Sequence, residues 1–170
     1  MSVNLVHDLR IKVLVVSDSS AHHERQDLSG PFVAAWVCER GVRRNPPVEI
    51  LPDERDRIAA HLRRWCDDGE TDLILTCGGT GVSPRDVTPE ATRDVVTCEL
   101  PGFGEAMRRE SMAKTPHAII SRATAGLRNG TLIINLPGSL RAAVENLSAV
   151  WPAVAHTIAK AQGDPEPCGG

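Results

Sequence analysis

A chain of 170 residues, 41% of them hydrophobic, is long enough to bury one substantial core and short for two, so a single domain is expected. A formal net charge of -3 and a pI near 6.1 exclude a global electrostatic attraction to nucleic acid or anionic membrane, leaving any anion to a local site. No apolar run approaches the roughly 20 residues that span a bilayer, and Met1 to Arg10 hold no signal-peptide core, so a cytoplasmic location is expected.

The cysteines Cys38, Cys66, Cys77, Cys98 and Cys168 are odd in number and contain no C-x-x-C pair. That argues against a disulfide framework and a zinc cluster, and for reduced thiols that are mostly buried.

Ile11 to Val16 is an apolar, β-branched run with only Lys12 polar, the pattern of a strand covered on both faces, and its end carries Ser17, Asp18 and Ser19. A polar loop follows to Asp27. It contains His22, His23 and Glu24, but adjacent side chains rarely converge on one ion, so a solvated loop is expected there. Ser29-Gly30-Pro31 opens a helix in which Phe32 with Trp36, and Val33 with Val37, share a face, and Gly41 closes it. Val48 to Leu51 is a second short strand. The helix after it places Ile58, Leu62 and Trp65 inward and Arg55, Arg57, Arg63 and Arg64 outward, and ends at Gly69. Asp53 stands before that helix with two readings, an N-cap for orphan N–H groups or a functional carboxylate at a strand end.

The stretch from Asp72 to Pro89 carries the most information. Leu73 to Leu75 read as strand, and Gly78-Gly79-Thr80-Gly81 as a turn whose glycines tolerate positive φ and can aim several N–H groups at an anion. Thr88, Pro89 and Glu90 suit the N-cap, first position and first turn of a helix running to about Cys98. Between turn and helix, Arg85 and Asp86 indicate either phosphate chemistry with a metal or a tight loop closed by a surface ion pair. Two better-known nucleotide motifs are excluded. A Walker loop needs a lysine, and none occurs between Lys12 and Lys114; a dinucleotide fingerprint from Gly79 and Gly81 needs Gly or Ala where Pro84 stands.

Three strands each followed by a helix imply right-handed crossovers and a parallel sheet, which gathers Asp18, Asp53 and Asp86 along its carboxyl edge. Carboxylates beside a phosphate-binding turn would repel one another and the phosphate unless a hard cation such as Mg²⁺ lay between them.

Gly102 to Met112 reads as a further helix, with Phe103 and Met107 one turn apart and core-facing. Ala118 to Arg122 follows. Leu127 to Asn135 reads as a hairpin turned at Asn129-Gly130, which suits a type I′ turn and makes the sheet mixed. Leu136-Pro137-Gly138-Ser139 repeats the order of strand, glycine turn and helix start, as a second anion site or an ordinary capped turn. Leu140 to Val150 and Pro152 to Ala161 read as two helices, and residues 164–170 as a disordered tail.

Taken in order, Ser17-Asp18-Ser19, Asp27 to Gly30, Leu51-Pro52-Asp53, Leu75 to Gly81, Pro84 to Glu90, Pro101 to Gly104, Ile120-Ser121-Arg122 and Thr131 to Ser139 resemble the molybdopterin adenylyltransferase family. That family includes bacterial MogA and MoaB and the G domains of gephyrin. The likeness runs from about Ile11 to Gln162. It implies an α/β protein of the MoaB/MogA-like molybdenum-cofactor-biosynthesis fold, three layers α/β/α around a mostly parallel mixed sheet, as one domain over residues 1–163.

The resemblance further implies Mg²⁺-dependent transfer of AMP from ATP to the terminal phosphate of molybdopterin, with release of pyrophosphate. The enzyme would be a homo-oligomer, a trimer or else a hexamer, that hands its product to a molybdenum insertase, with no nucleic acid or membrane partner. Asp53 and Asp86 fall on the two acids that the family uses in catalysis, Asp86 ligating the metal. Ser17, Asp18 and the turn Gly78, Gly79, Thr80 and Gly81 would hold nucleotide or phosphate. Ser121, Asn135, Pro137, Gly138 and Ser139 would hold the pterin or its phosphate. Cys77 departs from the second threonine usual in relatives, and the His22-His23 loop lacks a glycine seen in some. Two other readings stand beside this one. The first is a MoaB-type paralogue that binds molybdopterin or a protein partner without adenylating it; the second is a scaffold module of the gephyrin kind, which a lone domain disfavours.

Overall fold

The structure is a computed structural model and describes residues 6–21 and 27–165. The apolar runs form strands where expected: β1 is Ile11–Val16, β2 is Val48–Leu51, and β3 is Leu73–Cys77, which carries the strand past Leu75 through Thr76 and Cys77. Three more strands complete the sheet: β4 is Cys98–Glu99, β5 is Ala125–Arg128 and β6 is Thr131–Leu136. The order is β2-β1-β3-β6-β5-β4. The first four in that order are mutually parallel; β5 is antiparallel to β6 and β4 is antiparallel to β5, so β5 alone runs against the other five and the sheet is mixed. The β5–β6 hairpin turns with φ of 49° at Asn129 and 78° at Gly130, the paired positive values of a type I′ turn.

Helices cover both faces. They are α1, Asp18–Ala21, a single turn; α2, Ser29–Glu39; α3, Arg55–Asp67; α4, Thr88–Arg93; α5, Pro101–Met112; and α6, Leu140–Ala161. Alternate residues of the central strands feed two separate cores, as the pleat requires. Val13, Val15, Leu75 and Ile134 pack with Val33, Val37, Met107, Leu147 and Val154 of α2, α5 and α6. Leu14, Val16, Ile74 and Ile133 pack with Ile58, Leu62, Trp65 and Ala91 of α3 and α4. This is the three-layer α/β/α arrangement, and burial on both faces explains why the strand sequences are near-continuously apolar. Each fully buried Leu or Ile contributes about 1.5–3 kcal/mol, so the sheet is a rigid base for the loops at its edge.

Several expectations change. The helix opened at Thr88 ends at Arg93, because Cys98 and Glu99 must be extended to pair with Leu127 and Gly126. The two C-terminal helices are one, with Pro152 inside it; the carbonyl that Pro152 cannot bond belongs to Ser148, which is exposed and open to water. Phe32 is 45% exposed although Trp36 is buried, so they do not share the inward face. Of the thiols, Cys66 and Cys77 are buried, Cys38 is half-buried and Cys98 is exposed. The His22-His23-Glu24 loop, Cys168 and the tail after Pro165 lie outside the described residues. No described helix is long and apolar enough to cross a membrane.

Candidate active site

The parallel strands deliver their loops to one edge: Ser17 and Asp18 after β1, Asp53 after β2, the glycine turn after β3 and residues 137–139 after β6. Gly78 and Gly79 have φ of 107° and 64°. A Cβ on Gly78 would lie 2.2 Å from the carbonyl oxygen of Val16, so β3 leaves the sheet pressed against the end of β1, where only glycine passes. A Cβ on Gly138 would fall 3.3 Å from Cα of Gly78, so the two glycine turns are neighbours.

Asp18 and Asp53 lock the β1 and β2 loops together. The Asp53 N–H donates to Asp18 Oδ1 and the Asp18 N–H donates to Asp53 Oδ2, each at 2.9 Å. Asp53 is therefore not a helix cap: Glu54 occupies the N-cap of α3 and makes no side-chain cap bond. Thr88 likewise lies inside α4, whose N-cap is Val87. The ion pair considered between Arg85 and Asp86 is replaced by one between Arg85 and Asp18, with Nε and Nη2 donating to Oδ2 at 2.9 and 2.8 Å. Asp86 Oδ2 instead accepts the Ser83 N–H at 2.8 Å. Burial pushes Asp53 above the ordinary carboxylate range; the Asp18 N–H opposes this, while the charges of Asp18 and Asp86 add to it. The edge thus carries net negative charge beside the turn, with Arg85 offsetting part of it.

The turn has a definite polarity. The carbonyl of Gly79 accepts the Thr88 N–H at 3.1 Å, that of Thr80 accepts the Arg122 N–H at 2.9 Å, and that of Gly81 accepts Arg122 Nε at 2.6 Å. In a trans peptide the following N–H points the opposite way, so the N–H groups of Thr80, Gly81 and Val82 face away from these anchors. None of the three donates a hydrogen bond among the described residues. Successive unpaired N–H groups on a glycine turn form an anion-binding concavity.

Two clefts meet at the turn. The larger, about 580 Å³, is lined by Ser17, Asp53, Gly78, Gly79, Asp86, Gly138 and Ser139 among others. The smaller, about 310 Å³, has Thr80, Gly81, Ser121 and Pro137 on its wall together with Arg108, Lys114, His117 and the apolar Ala118, Ile120 and Ala142. Asn135 lines neither. It is fully buried, and its Nδ2 donates to Thr76 Oγ1 at 3.0 Å and Thr92 Oγ1 at 2.8 Å, tying β6 to β3 and α4 beneath the turn. Asp18 stands beside the larger cleft with its carboxylate engaged by Arg85 and Asp53. The sequence reading missed Arg108, Lys114 and Asn146, which reach the smaller cleft from α5, from the segment after it and from α6; no local pattern marks them.

No cluster of three or more His, Cys, Asp or Glu side chains able to hold a metal occurs among the described residues. Asp53 and Asp86 on one cleft nevertheless suit Mg²⁺ arriving with a nucleotide, because that ion keeps several waters and takes one or two carboxylates plus substrate phosphates. The residues fit a substrate-borne ion and not a resident metal cage. Cys77 is 1% exposed and burial pushes its thiol up to about 12, so at neutral pH it is a small neutral group under the turn and not a nucleophile.

A family described as "probable molybdopterin binding domain" matches residues 12–156. The chain is 44% identical over 153 residues to the molybdopterin adenylyltransferase of Helicobacter pylori strain J99, covering 88% of this chain and 86% of that protein. Among solved structures it is similar to the molybdopterin biosynthesis enzyme MoaB of Thermus thermophilus, with TM-score 0.81, 44% identity, and 92% and 98% of the two chains covered. It is also similar to the molybdopterin biosynthesis Mog protein of Mycobacterium ulcerans, with TM-score 0.83, 31% identity, and the same 92% and 98% covered.

Proposed function

This chain belongs to the family of probable molybdopterin binding domains, and from that premise we propose that it is a molybdopterin adenylyltransferase acting in molybdenum cofactor biosynthesis. The observation that carries the reading is the glycine turn, which forms a wall of two clefts at once, with Asp53 and Asp86 on one side only. ATP takes the larger cleft, its phosphates beside Gly78, Gly79 and Ser139 and facing Asp53 and Asp86. Molybdopterin takes the smaller one, its ring against Ile120 and Pro137 and its phosphate toward the outward N–H groups of Thr80 and Gly81, with Ser121 as a polar contact.

An oxygen of the pterin phosphate attacks the α-phosphorus of ATP, the bond from that phosphorus to the bridging oxygen breaks, and pyrophosphate leaves with the electron pair. The nucleophile is already anionic, so no base is required. The protein's task is to hold two mutually repelling phosphates in line. Asp86 would ligate the Mg²⁺ that enters with ATP and neutralises phosphate charge, and Asp53 would orient that ion's water shell or the acceptor. The direct test mixes the protein with ATP, Mg²⁺ and molybdopterin and separates the products. Adenylyl-molybdopterin and pyrophosphate are expected; binding of both substrates without product would replace this reading with that of a non-adenylating paralogue.

The raised pKa of Asp53 sets a pH dependence. The carboxylate attracts a metal-nucleotide only when ionised, so turnover should fall as pH drops through that raised value, by about tenfold per pH unit. The stability sign is the reverse: the folded protein holds this proton more tightly than the unfolded chain, so ionising Asp53 costs stability as pH rises through the same window. Asp53→Asn keeps the oxygen that accepts the Asp18 N–H. It should lose the acid limb of the pH–rate profile and melt no lower than wild type at neutral pH. An unchanged acid limb would assign the limb to another group.

The enzyme is further proposed to work as a trimer that passes its product to an insertase. Ile119, 65% exposed and outside both clefts, supplies apolar surface for an interface. Sedimentation at micromolar concentration should give a trimer; a monomer would overturn this, and a hexamer would move the chain toward the MoaB branch.

A further inference from the structure

We propose that Arg122 is the positioning residue of the active site, the strut that turns the phosphate-binding N–H groups outward and holds Asp86 at the cleft. The proposal rests on the adenylyltransferase reading for its kinetic consequence and on contacts alone for its structural one. From Gly78 to Val87 the chain has no helix or strand to hold it. Arg122 reaches that segment and the helix after it at four points. Its N–H donates to the Thr80 carbonyl at 2.9 Å, Nε to the Gly81 carbonyl and Nη2 to the Asp86 carbonyl, both at 2.6 Å, and Nη1 to Glu90 Oε1 at the start of α4.

Each carbonyl so held sets the next N–H in the opposite direction. The Thr80 and Gly81 contacts therefore orient the N–H groups of Gly81 and Val82. The Asp86 contact fixes the backbone from which the carboxylate springs. The planar guanidinium serves the three acceptors from three separate nitrogens, whereas the donors of a lysine ammonium all spring from one nitrogen and cannot span them. Glu90 needs the same cation, since its Oε2 is buried without a partner among the described residues and Arg93 comes no nearer than 4.0 Å. Arg122 itself lines neither cleft, so it acts on substrates only through the turn.

The test uses Arg122→Lys, which keeps the charge beside Glu90, and the double variant Arg122→Ala with Glu90→Gln, which removes charge and counter-charge together. Hydrogen exchange at the bonded N–H groups of Ser83, Arg85, Asp86 and Thr88 should accelerate about tenfold or more in both, with exchange in the central strands unchanged. Turnover should fall about 10²-fold, as expected for reacting groups displaced by about 1 Å, with the melting temperature of the lysine variant near wild type. Added guanidinium should restore part of the turnover of the double variant without raising its melting temperature. Unchanged exchange at Ser83, Arg85, Asp86 and Thr88 overturns the proposal even if the protein proves not to adenylate molybdopterin. Turnover lost only in step with melting temperature, and not rescued by guanidinium, overturns it by reducing Arg122 to a general stabiliser.

Discussion

Asp86→Asn lowers the rate of adenylation by about 10²–10³-fold and leaves pterin binding and the melting temperature close to wild type. The fold should tolerate the change because Asp86 makes no ion pair with its neighbour Arg85, which is held by Asp18. What Asp86 contributes locally is one oxygen that accepts the Ser83 N–H, and asparagine keeps an oxygen there. Its backbone carbonyl, the part that Arg122 grips, is untouched. The substitution thus removes charge and little else, at a place where the cleft already carries the negative charge that a metal-nucleotide needs. Pterin fluorescence for binding, chromatography for product and a thermal melt on one purified variant decide the matter. A rate within a few-fold of wild type would remove Asp86 from the mechanism; loss of binding together with stability would make it a structural aspartate.

Gly78→Ala is expected to damage the molecule more broadly. A φ of 107° is strained for any L side chain, at about 1–3 kcal/mol, and a methyl group 2.2 Å from the Val16 carbonyl oxygen adds overpacking of about the same size. The clash falls on backbone. The Val16 end of β1 is pinned through the Ser17 N–H to the Leu51 carbonyl, and Gly78 through its own N–H to the Leu136 carbonyl, so neither side can yield without opening the sheet edge. A drop in melting temperature of about 10 °C follows from a loss of about 3–5 kcal/mol in a domain of this size, with turnover abolished. Gly69→Ala is the control. Gly69 also has positive φ, 71°, but nothing lies within 4 Å of its Cβ position, so only about 1 kcal/mol of strain is expected. Equal losses from the two variants would show that conformation alone, and not the close approach to β1, requires glycine at position 78.

The sequence by itself determined what is local or periodic. The runs at Ile11–Val16, Val48–Leu51 and Leu73–Leu75 read as strands, the first as one covered on both faces, Asn129-Gly130 read as a hairpin turn, and the crossover rule then put Asp53 and Asp86 on one edge. Tertiary structure decided everything that depends on a partner far away in the chain. Asp53 had a helix cap as one of its two readings, and the place of Glu54 at the N-cap with Asp18 facing Asp53 removes it. Arg85 looked paired with the adjacent Asp86 until the β1 loop supplied Asp18 instead. Asn135 lies in β6 just before the second glycine turn, yet the hydroxyls of Thr76 and Thr92 draw its amide beneath the site. The smaller cleft exists only where α5 and α6 approach the glycine turn, so Arg108, Lys114 and Asn146 carry no local mark of their role. Periodicity encodes which face of an element is buried, because burial is averaged over many residues. It does not encode which donor meets which acceptor, because a hydrogen bond depends on the placement of two elements to within a few tenths of an ångström.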